Sequence, residues 1–233
     1  MNRDAQKQAA GEAAVTLVRD GMVVGLGTGS TARFAIDALA ERVRQGLRIV
    51  GIPTSERSAA QARGAGIPLT TLEDQHRIDL TIDGADEIAR GSLNLIKGLG
   101  GALLREKIVA AASERLVIVA DAAKLVDRLG TGVPVPVEVV PFGWQTTAER
   151  LAQLGADPVL RLDTAGQPFH TDGGNLILDC GFGAIADPAA LEPALSHVVG
   201  VVESGLFIGM ADLALVAGDD GVQRLTRAAL RAT

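Results

Sequence analysis

Short apolar runs alternate with helix-like segments through the first 130 residues, and this order constrains the fold more than any other feature of the sequence. Each run has the length of a buried strand, and a glycine or polar turn separates it from the next helical pattern. Repeated strand–helix units predict a parallel sheet with helices on both faces. The predicted strands are 22–26, 47–52, 79–82 and 115–120, and the predicted helices are 4–19, 31–44, 55–64 and 102–114.

The pattern changes after residue 130, where three prolines cluster within 134–141. The order there is strand, helix, strand, strand, helix, strand, which is typical of the ferredoxin-like arrangement. Its predicted strands are 137–142, 158–163, 175–181 and 199–206, and its predicted helices are 145–154 and 188–197. A last strand at 211–218 and a helix at 221–232 are expected to return the chain to the first sheet.

We therefore predict an α/β protein in which a Rossmann-like parallel-sheet domain carries a small inserted domain. The larger domain is expected to comprise residues 1–130 and 207–233, with the site at its glycine turns. The inserted ferredoxin-like α+β domain is expected to comprise residues 131–206.

Composition excludes several classes of function. The formal net charge is −6 and the pI about 5.1, which disfavours binding to nucleic acid or to an anionic membrane. No stretch reaches the roughly 18 apolar residues of a membrane span, and the polar start of the chain does not resemble a targeting signal. Cys180, the single cysteine, lies in an apolar strand pattern and fits a core position in a reducing compartment. We expect a cytoplasmic protein.

The first candidate site is the glycine-rich turn GLGTGSTA at 25–32, between a predicted strand and a predicted helix. Glycine backbone N–H groups can approach an anion closely, and the helix N-terminus adds favourable charge. Hydroxyls at Thr28, Ser30 and Thr31 add donors, and the combination suits a compact phosphate monoester. The alternative is a tight turn in which Ser30 or Thr31 only caps the helix.

The same turn fits the G-x-G-x-x-A pattern of dinucleotide-binding proteins through Gly27, Gly29 and Ala32. Such proteins place an acidic residue after the second strand, where it binds a ribose hydroxyl. Here that strand ends in IPTS at 52–55, which contains no acid. A nucleotide-dependent oxidoreductase is therefore disfavoured, although the glycine pattern alone does not exclude it.

The second candidate is DGADE at 83–87, directly after a predicted strand. Three carboxylates in five residues repel one another, so some must be solvated, protonated or paired with a cation. The carboxyl ends of parallel strands face the ligand crevice of an open sheet, which favours a function for Asp83 and Asp86. A simple turn is one alternative, and a divalent metal with further oxygen ligands is another.

The third candidate is KGLGGALLREK at 97–107, a lysine before a glycine turn that opens a helix. Only four of the 22 basic residues are lysines, so Lys97 departs from the chain's preference for arginine. A flexible ammonium can enter a site as a point charge more readily than a planar guanidinium. Glu106 is predicted in the second turn of the same helix, near the loop, and the alternative for this residue is an exposed position between two basic neighbours.

Together these segments resemble the A-type ribose-5-phosphate isomerases over nearly the whole chain. The shared motifs are GLGTGSTA at 25–32, DGADE at 83–87, KGLGGALLREK at 97–107, DAAK at 121–124, PVPVEV at 134–139 and GNLILD at 174–179. The sequence departs from the family at Leu99, where many relatives have glycine, and we assign no role to residues 54–57.

The resemblance implies interconversion of D-ribose 5-phosphate and D-ribulose 5-phosphate through a cis-enediolate, in the non-oxidative branch of the pentose phosphate pathway. It implies Glu106 as the general base, Lys97 as the stabiliser of the enediolate oxygens, and Asp83 and Asp86 as partners of substrate hydroxyls, one of them assisting ring opening. The implied substrate-binding residues are Lys7, Thr28, Gly29, Ser30, Thr31, Asp83, Gly84, Ala85, Asp86, Lys97, Gly98, Leu99, Gly100 and Lys124, with the two lysines Lys7 and Lys124 at the phosphate.

The resemblance also implies a homo-oligomer, commonly a dimer, with a small-molecule sugar phosphate as substrate and with no cofactor and no metal. The main rival is a non-catalytic sugar-phosphate sensor of the same fold. Such domains usually adjoin a DNA-binding helix-turn-helix, and no such segment is evident in this acidic sequence.

Overall fold

The computed structural model describes residues 1–227. Within that range the helices are α1 (Arg3–Val15), α2 (Ala32–Arg44), α3 (Glu56–Gly64), α4 (Leu103–Ala111), α5 (Trp144–Gln153) and α6 (Pro188–Ser196). The strands are β1 (Val23–Leu26), β2 (Val50–Pro53), β3 (Leu80–Gly84), β4 (Glu87–Ala89), β5 (Leu95–Ile96), β6 (Leu116–Asp121), β7 (Leu125–Val126), β8 (Val135–Val139), β9 (Asp157–Leu160), β10 (Leu176–Gly181), β11 (Val201–Ser204), β12 (Leu206–Phe207), β13 (Leu213–Gly218) and β14 (Gly221–Leu225). None of these helices is long and apolar enough to cross a bilayer.

The main sheet has six strands in the order β14-β13-β6-β3-β1-β2. All neighbouring strands are parallel except β14, which is antiparallel to β13. Strand β6 shows why the sequence favours this layout. Val117 and Val119 pack with α1 and α2 on one face, while Leu116 and Ile118 pack on the other face. Burial on both faces requires the uninterrupted apolar runs that the sequence contains, and the predicted parallel α/β sheet is confirmed.

The carboxyl ends of β1, β3 and β6 meet at one edge of this sheet. Strand β1 lies between β2 and β3, so the backbone crosses from one side of β1 to the other. An open crevice forms at the carboxyl edge where the strand order reverses in this way. The turn at 25–32, the segment at 83–87 and the segment at 121–124 all follow these strands.

The C-terminal segment departs from its predicted structure. The helix expected at 221–232 is wrong for Gly221–Leu225, which forms β14. A two-residue turn at 219–220 reverses the backbone, and β14 pairs with β13 across it. The pairing gives the backbone of β13 hydrogen-bond partners on its outer side, and Val222 and Leu225 pack against different core clusters. The remainder of the predicted helix, from residue 228, lies outside the described residues.

A second, antiparallel sheet has the order β11-β8-β10-β9 and carries α5 and α6. Its connection order, β-α-β-β-α-β, is the ferredoxin-like one that the sequence predicts. It has its own core, in which Val137, Leu178 and Cys180 are fully buried. We propose residues 131–206 as an inserted domain; its first boundary falls between β7 and β8, and its second falls at β12.

A third sheet, with the order β12-β5-β4-β7, was not predicted from the sequence. Its strands have only two or three residues, too few to produce a periodic pattern. It matters for function because β5 ends directly before Lys97. The Lys97 N–H donates to the carbonyl oxygen of Gly205 at 2.9 Å, so the last residues of the proposed inserted domain help to fix the position of this lysine.

Candidate active site

A cavity opens at the carboxyl edge of the main sheet, and twelve of the predicted site residues line it. They come from four separate segments of the sequence. They are Thr28, Gly29, Ser30, Thr31, Gly84, Ala85, Asp86, Lys97, Gly98, Gly100, Glu106 and Lys124. The fold therefore brings together the three candidate segments and the single lysine after β6.

Three buried ionisable side chains lie together at the base of the cavity. We call Asp83, Lys97 and Glu106 the floor. The Lys97 Nζ lies 3.0 Å from the Asp83 Oδ2 and 3.3 Å from the Glu106 Oε1. It also donates to the carbonyl oxygen of Gly84 at 2.6 Å. None of the three side chains is more than 5% exposed. One ammonium is thus shared between two carboxylates away from bulk water.

The position of Glu106 answers the question that the sequence left open. Helix α4 begins at Leu103, one residue later than predicted. Glu106 therefore lies in the first turn of the helix, and its predicted position in the second turn was wrong. The alternative of an exposed position is also wrong, because Glu106 is buried. Among residues 1–227, no hydrogen-bond partner lies on its Oε2. Glu106 lines the cavity, and the described part of the protein leaves the hydrogen-bonding capacity of this buried oxygen unused.

Burial shifts the pKa values of the floor residues. Desolvation raises the pKa of Glu106 to about 8, although attraction to Lys97 opposes the shift, and the neighbouring Asp83 charge adds to it. Desolvation also raises the pKa of Asp83, against the lowering effect of Lys97. For Lys97, burial opposes the charged form, but attraction to Asp83 and Glu106 outweighs it, so its pKa lies above the ordinary value. Perturbed groups of this kind cluster at functional sites.

Asp83 also organises the first glycine turn. Its Oδ1 accepts hydrogen bonds from the N–H of Thr28 at 3.0 Å and the N–H of Gly84 at 2.7 Å. This close approach requires glycine at position 27, because a Cβ there would lie 2.2 Å from the same oxygen. Asp83 is therefore tied both to Lys97 and to the turn, and it does not itself line the cavity.

The turn does not act mainly as a helix cap. Thr31 occupies the N-cap position of α2, but its side chain makes no capping hydrogen bond, and it lines the cavity instead. Ser30 and Gly29 line it as well, and the half-buried Lys124 reaches it from the segment after β6. We call these residues, with Thr28, the rim. Backbone N–H groups, hydroxyls and one ammonium at a helix N-terminus form an arrangement that can bind a phosphate.

A cluster of hydroxyls behind the rim was missed by the sequence reasoning. The Thr28 Oγ1 lies within 3.0 Å of the hydroxyl oxygens of Thr54, Ser55 and Ser58. The Ser58 hydroxyl in turn donates to the Gly27 carbonyl oxygen at 2.7 Å. The segment after β2 thus holds the turn after β1, and the unassigned residues 54–57 supply two of its contacts. The sequence signal that could have revealed this cluster is the run of hydroxyl residues directly after β2.

The second glycine turn, residues 98–101, is held from two sides. The Asp86 Oδ2 accepts from the Leu99 N–H at 2.9 Å. On the other side Arg161, which follows β9, donates to the carbonyl oxygens of Gly98 and Leu99. Leu99 is 38% exposed and does not line the cavity, so its side chain replaces glycine without filling the site. Sequence reasoning missed Arg161, because no local pattern connects it with a turn some 60 residues earlier.

Lys7, a predicted site residue, and Glu87, the last residue of the DGADE motif, lie elsewhere. Lys7 does not line the cavity, and its Nζ lies 3.8 Å from the Asp4 carboxylate within α1, so its role at the phosphate stays a prediction. The side chain of Glu87 accepts from the N–H groups of Gly130 and Gly132, both at 2.6 Å, and so leaves the site. Within residues 1–227, no group of three or more His, Cys, Asp or Glu side chains is arranged to hold a metal ion.

Comparison with known proteins gives matches over nearly all of the sequence. The sequence model of the family described as Ribose 5-phosphate isomerase A (phosphoriboisomerase A) matches residues 50–221. The protein named Ribose-5-phosphate isomerase A in Gloeobacter violaceus is 65% identical over 229 residues, which cover 98% of this chain and 99% of that protein.

Solved structures agree with the sequence matches. A ribose 5-phosphate isomerase A from Methanocaldococcus jannaschii superposes with a TM-score of 0.91 at 41% identity, covering 95% of this chain and 98% of the other. A D-ribose-5-phosphate isomerase in complex with phospho-erythronic acid gives a TM-score of 0.94 at 40% identity, covering 97% of this chain and all of the other.

Proposed function

The chain belongs to the ribose 5-phosphate isomerase A family and is thus an aldose–ketose isomerase, and from this premise we propose that Glu106 moves the proton between C1 and C2 of the sugar. Glu106 takes the proton from C2 of the linear aldehyde form of D-ribose 5-phosphate; the C–H electrons form the C1–C2 double bond, and the electrons of the C1 carbonyl move onto O1, which gives a cis-enediolate. The same carboxyl then returns a proton to C1, while the hydroxyl proton of O2 passes to O1 and the C2 oxygen becomes the ketone of D-ribulose 5-phosphate. No electrons leave the substrate.

The observation that carries this proposal is that Glu106 lines the cavity and that its buried Oε2 has no hydrogen-bond partner among residues 1–227. A general base must reach its proton directly, and its pKa should lie near the working pH. The pKa of Glu106, raised by burial to about 8, meets the second requirement. The first turn of α4 adds the favourable field of the helix N-terminus to the ionised form.

Lys97 stabilises the charge that develops on the enediolate oxygens. Its side chain lines the cavity beside Glu106, and its raised pKa keeps it protonated throughout the reaction. A preorganised charge in a water-poor site stabilises a developing oxyanion far more than the same charge in water does. Asp83 holds Lys97 in place at 3.0 Å.

Asp86 orients substrate hydroxyls and assists ring opening. It lines the cavity, whereas Asp83 is fully buried beneath it, which favours Asp86 for contact with the sugar. The role of Asp83 in this proposal is to fix Lys97 and the first glycine turn. In this proposal Asp86 contacts the substrate directly, whereas Asp83 acts through Lys97 and the first glycine turn.

The rim, which includes Lys124, holds the sugar phosphate. Binding energy from a group remote from the reacting carbons positions C1 and C2 against Glu106. The related structure that contains phospho-erythronic acid, a four-carbon sugar acid, supports a phosphorylated sugar derivative as ligand. The carboxylate of such an acid can take the place of the enediolate oxygens, so the compound is a useful probe of the floor.

The test is an assay for ketose after mixing the protein with D-ribose 5-phosphate, with no added cofactor or metal. We expect the wild type to form D-ribulose 5-phosphate, and Glu106→Gln to lose at least about 10³-fold in kcat while it still binds phospho-erythronic acid. The matched control is Glu114→Gln, an exposed carboxylate just after the same helix. Wild-type turnover by Glu106→Gln would contradict the proposal. If the wild type forms no ketose, the result favours the alternative of a non-catalytic sugar-phosphate sensor.

We also propose that the enzyme is a cytoplasmic homodimer. Phe142 and Val199 are 94% and 73% exposed, and apolar side chains of this size are often buried by a partner. Cys180 is free and buried, as a reducing compartment favours. Light scattering on a sizing column tests the assembly: we expect a dimer mass for the wild type and a more readily dissociated dimer for Phe142→Ser. A monomer at micromolar concentration would contradict the proposal.

A further inference from the structure

Arg161 directly follows β9 of the proposed inserted domain, yet its guanidinium reaches the glycine turn of the active site. Its backbone N–H donates to the Ile177 carbonyl oxygen at 2.9 Å, next to β9. Its Nε donates to the Asp179 Oδ2 at 2.9 Å, and its Nη2 bonds the other oxygen of the same carboxylate. The side chain is only 12% exposed. A bidentate pair of this kind fixes the plane of the guanidinium.

The remaining nitrogen, Nη1, donates to two successive carbonyl oxygens of the turn. It lies 2.9 Å from the Gly98 oxygen and 3.1 Å from the Leu99 oxygen. The Gly98 oxygen also accepts from the Gly101 N–H at 3.0 Å, which closes the turn. Gly98 has a φ of +104°, which glycine adopts readily, but glycine also has the most conformational freedom to lose, so outside contacts are needed to hold the turn in one conformation. Arg161 supplies that support on the carbonyl side.

The geometry of the peptide bond determines what this contact does to the cavity. In a trans peptide the C=O and the following N–H point in opposite directions. When Arg161 holds the Leu99 carbonyl, the Gly100 N–H must point away from Arg161. Gly100 lines the cavity together with Lys97 and Glu106. Among residues 1–227, no acceptor is bonded to the Gly100 N–H.

An N–H in this position is also a stronger donor than an ordinary amide. A hydrogen bond accepted by the carbonyl polarises the whole peptide unit, so the N–H at its other end binds an anion more tightly. The effect is larger when the donor to the carbonyl is charged, as a guanidinium is. Asp179 balances the charge of Arg161, so the influence on the cavity passes through the peptide rather than through a bare charge.

We propose that Arg161 is a positioning residue for the reaction, which holds the Gly100 N–H toward the cavity as a donor to the enediolate oxygen. The inference rests on the proposed function, because it assumes that negative charge develops on a sugar oxygen there. Arg161 itself touches neither the substrate nor Glu106. The inserted domain thereby contributes to catalysis through a single side chain.

The test compares Arg161→Ala with a control that also removes a contact between the inserted domain and the rest of the protein. The control is Asp172→Ala, because Asp172 accepts from the Glu56 N–H and contacts Arg105 but does not touch the glycine turn. For Arg161→Ala we expect kcat to fall by about 10- to 100-fold with KM within about threefold of wild type, because the lost donor acts on the transition state. For Asp172→Ala we expect both constants within about twofold of wild type.

Two further readouts separate positioning from mere stability. Millimolar guanidinium should restore part of the lost kcat in Arg161→Ala, in a saturable way, and should not activate the control. The inhibition constant of phospho-erythronic acid should rise by about tenfold in Arg161→Ala, more than KM does, because its carboxylate occupies the place of the enediolate. Arg161→Lys should recover less than half of the loss, since an ammonium cannot bind Asp179 and both carbonyls together.

The inference is overturned if Arg161→Ala retains kcat within twofold of wild type. It is equally overturned if the loss of kcat follows a lowered melting temperature and guanidinium gives no rescue. Neither result touches the proposed function, which fails only if the wild type forms no ketose or if Glu106→Gln remains active.

Discussion

The floor and the rim of the cavity lie side by side but are built from opposite kinds of chemistry. The floor is a set of three ionisable side chains removed from water, with Lys97 between Asp83 and Glu106. The rim consists of backbone N–H groups, hydroxyls and the half-buried Lys124. Buried ion pairs rarely add net stability compared with apolar residues of the same size. A buried cluster of ionisable groups is therefore better explained by the reaction, and the rim, in which Ser30 is exposed and Lys124 is half-buried, by binding.

This difference predicts different kinetic consequences. Substitutions in the floor should act mainly on kcat, because its charges serve the transition state. Substitutions in the rim should act mainly on KM, because the phosphate is bound alike in the ground state and in the transition state.

The largest effect is expected for Lys97→Met. The substitution removes the only cation from the floor, so kcat should fall by about 10³-fold or more, as for the loss of an oxyanion donor. The two remaining carboxylates would then retain protons to a higher pH. Steady-state kinetics and thermal unfolding at pH 6 and pH 9 measure both effects. We expect a greater loss of stability at pH 9 than at pH 6. A kcat within tenfold of wild type would contradict the assignment of kcat effects to the floor and KM effects to the rim.

The pH dependence should follow the floor as well. Because the pKa of Glu106 is raised to about 8, the base is increasingly ionised up to that pH. The kcat/KM should therefore rise tenfold per unit below about pH 8 and level off above it. An acid limb at the ordinary glutamate value, near 4.5, would contradict the assignment.

The same shift has a consequence for stability, whose sign is opposite to that of an ordinary salt-bridged carboxylate. The folded protein holds a proton on Glu106 between pH 4.5 and about 8, where the unfolded chain has lost it. The contribution of this group to the free energy of unfolding must therefore decrease as pH rises through that range. Denaturant unfolding of the wild type and Glu106→Gln across the range measures it. An equal pH slope in both proteins would exclude the shift.

At the rim, Lys124→Ala should raise KM by about 10- to 30-fold and change kcat by less than about threefold, because a uniform binding contact is lost. The control is Arg128→Ala, an exposed cation on the same segment. A selective loss of kcat in Lys124→Ala would show that the phosphate contact acts in the transition state, and the proposed division would need revision.

The smallest effect is expected behind the rim. Thr54→Val keeps the shape of a fully buried side chain but removes its hydrogen bond to Thr28. Because Thr28 retains Ser55 and Ser58 as partners, KM should rise by only about threefold. The double substitution with Ser58→Ala should exceed the sum of the single effects, since the hydroxyls form one network. Strict additivity would show that each hydroxyl acts alone.

The floor and the rim also differ in how far the sequence reveals them. The rim was predictable because strand, glycine turn and helix follow one another directly in the sequence. The floor was found as separate carboxylates and a lysine, and the resemblance to a family supplied their roles. Burial of Glu106 could not be derived, because its neighbours Arg105 and Lys107 suggest an exposed helix face. The strands that seat Lys97 are too short to produce a pattern.

Contacts between distant segments were beyond the sequence altogether. Arg161 contacts the turn at 98–101 because the second sheet packs beside the main sheet, and no local sequence pattern reveals that packing. The helix predicted over 221–232 failed for a similar reason. The pattern of Gly221–Leu225 is compatible with a helix, but the hairpin across residues 219–220 places it beside β13. Tertiary pairing decided the structure of this segment against its local preference.

The measurement that tests the central claim most directly follows hydrogen at C1 and C2 when the reaction runs in heavy water. NMR of the products from wild type, Glu106→Gln and the Glu114→Gln control measures the deuterium content at C1 and at C2. The account predicts that wild type and control place one deuteron stereospecifically at C1 of D-ribulose 5-phosphate or carry over the original proton, and that Glu106→Gln does neither while binding phospho-erythronic acid as before. Exchange at the wild-type rate in Glu106→Gln would show that another group moves the proton.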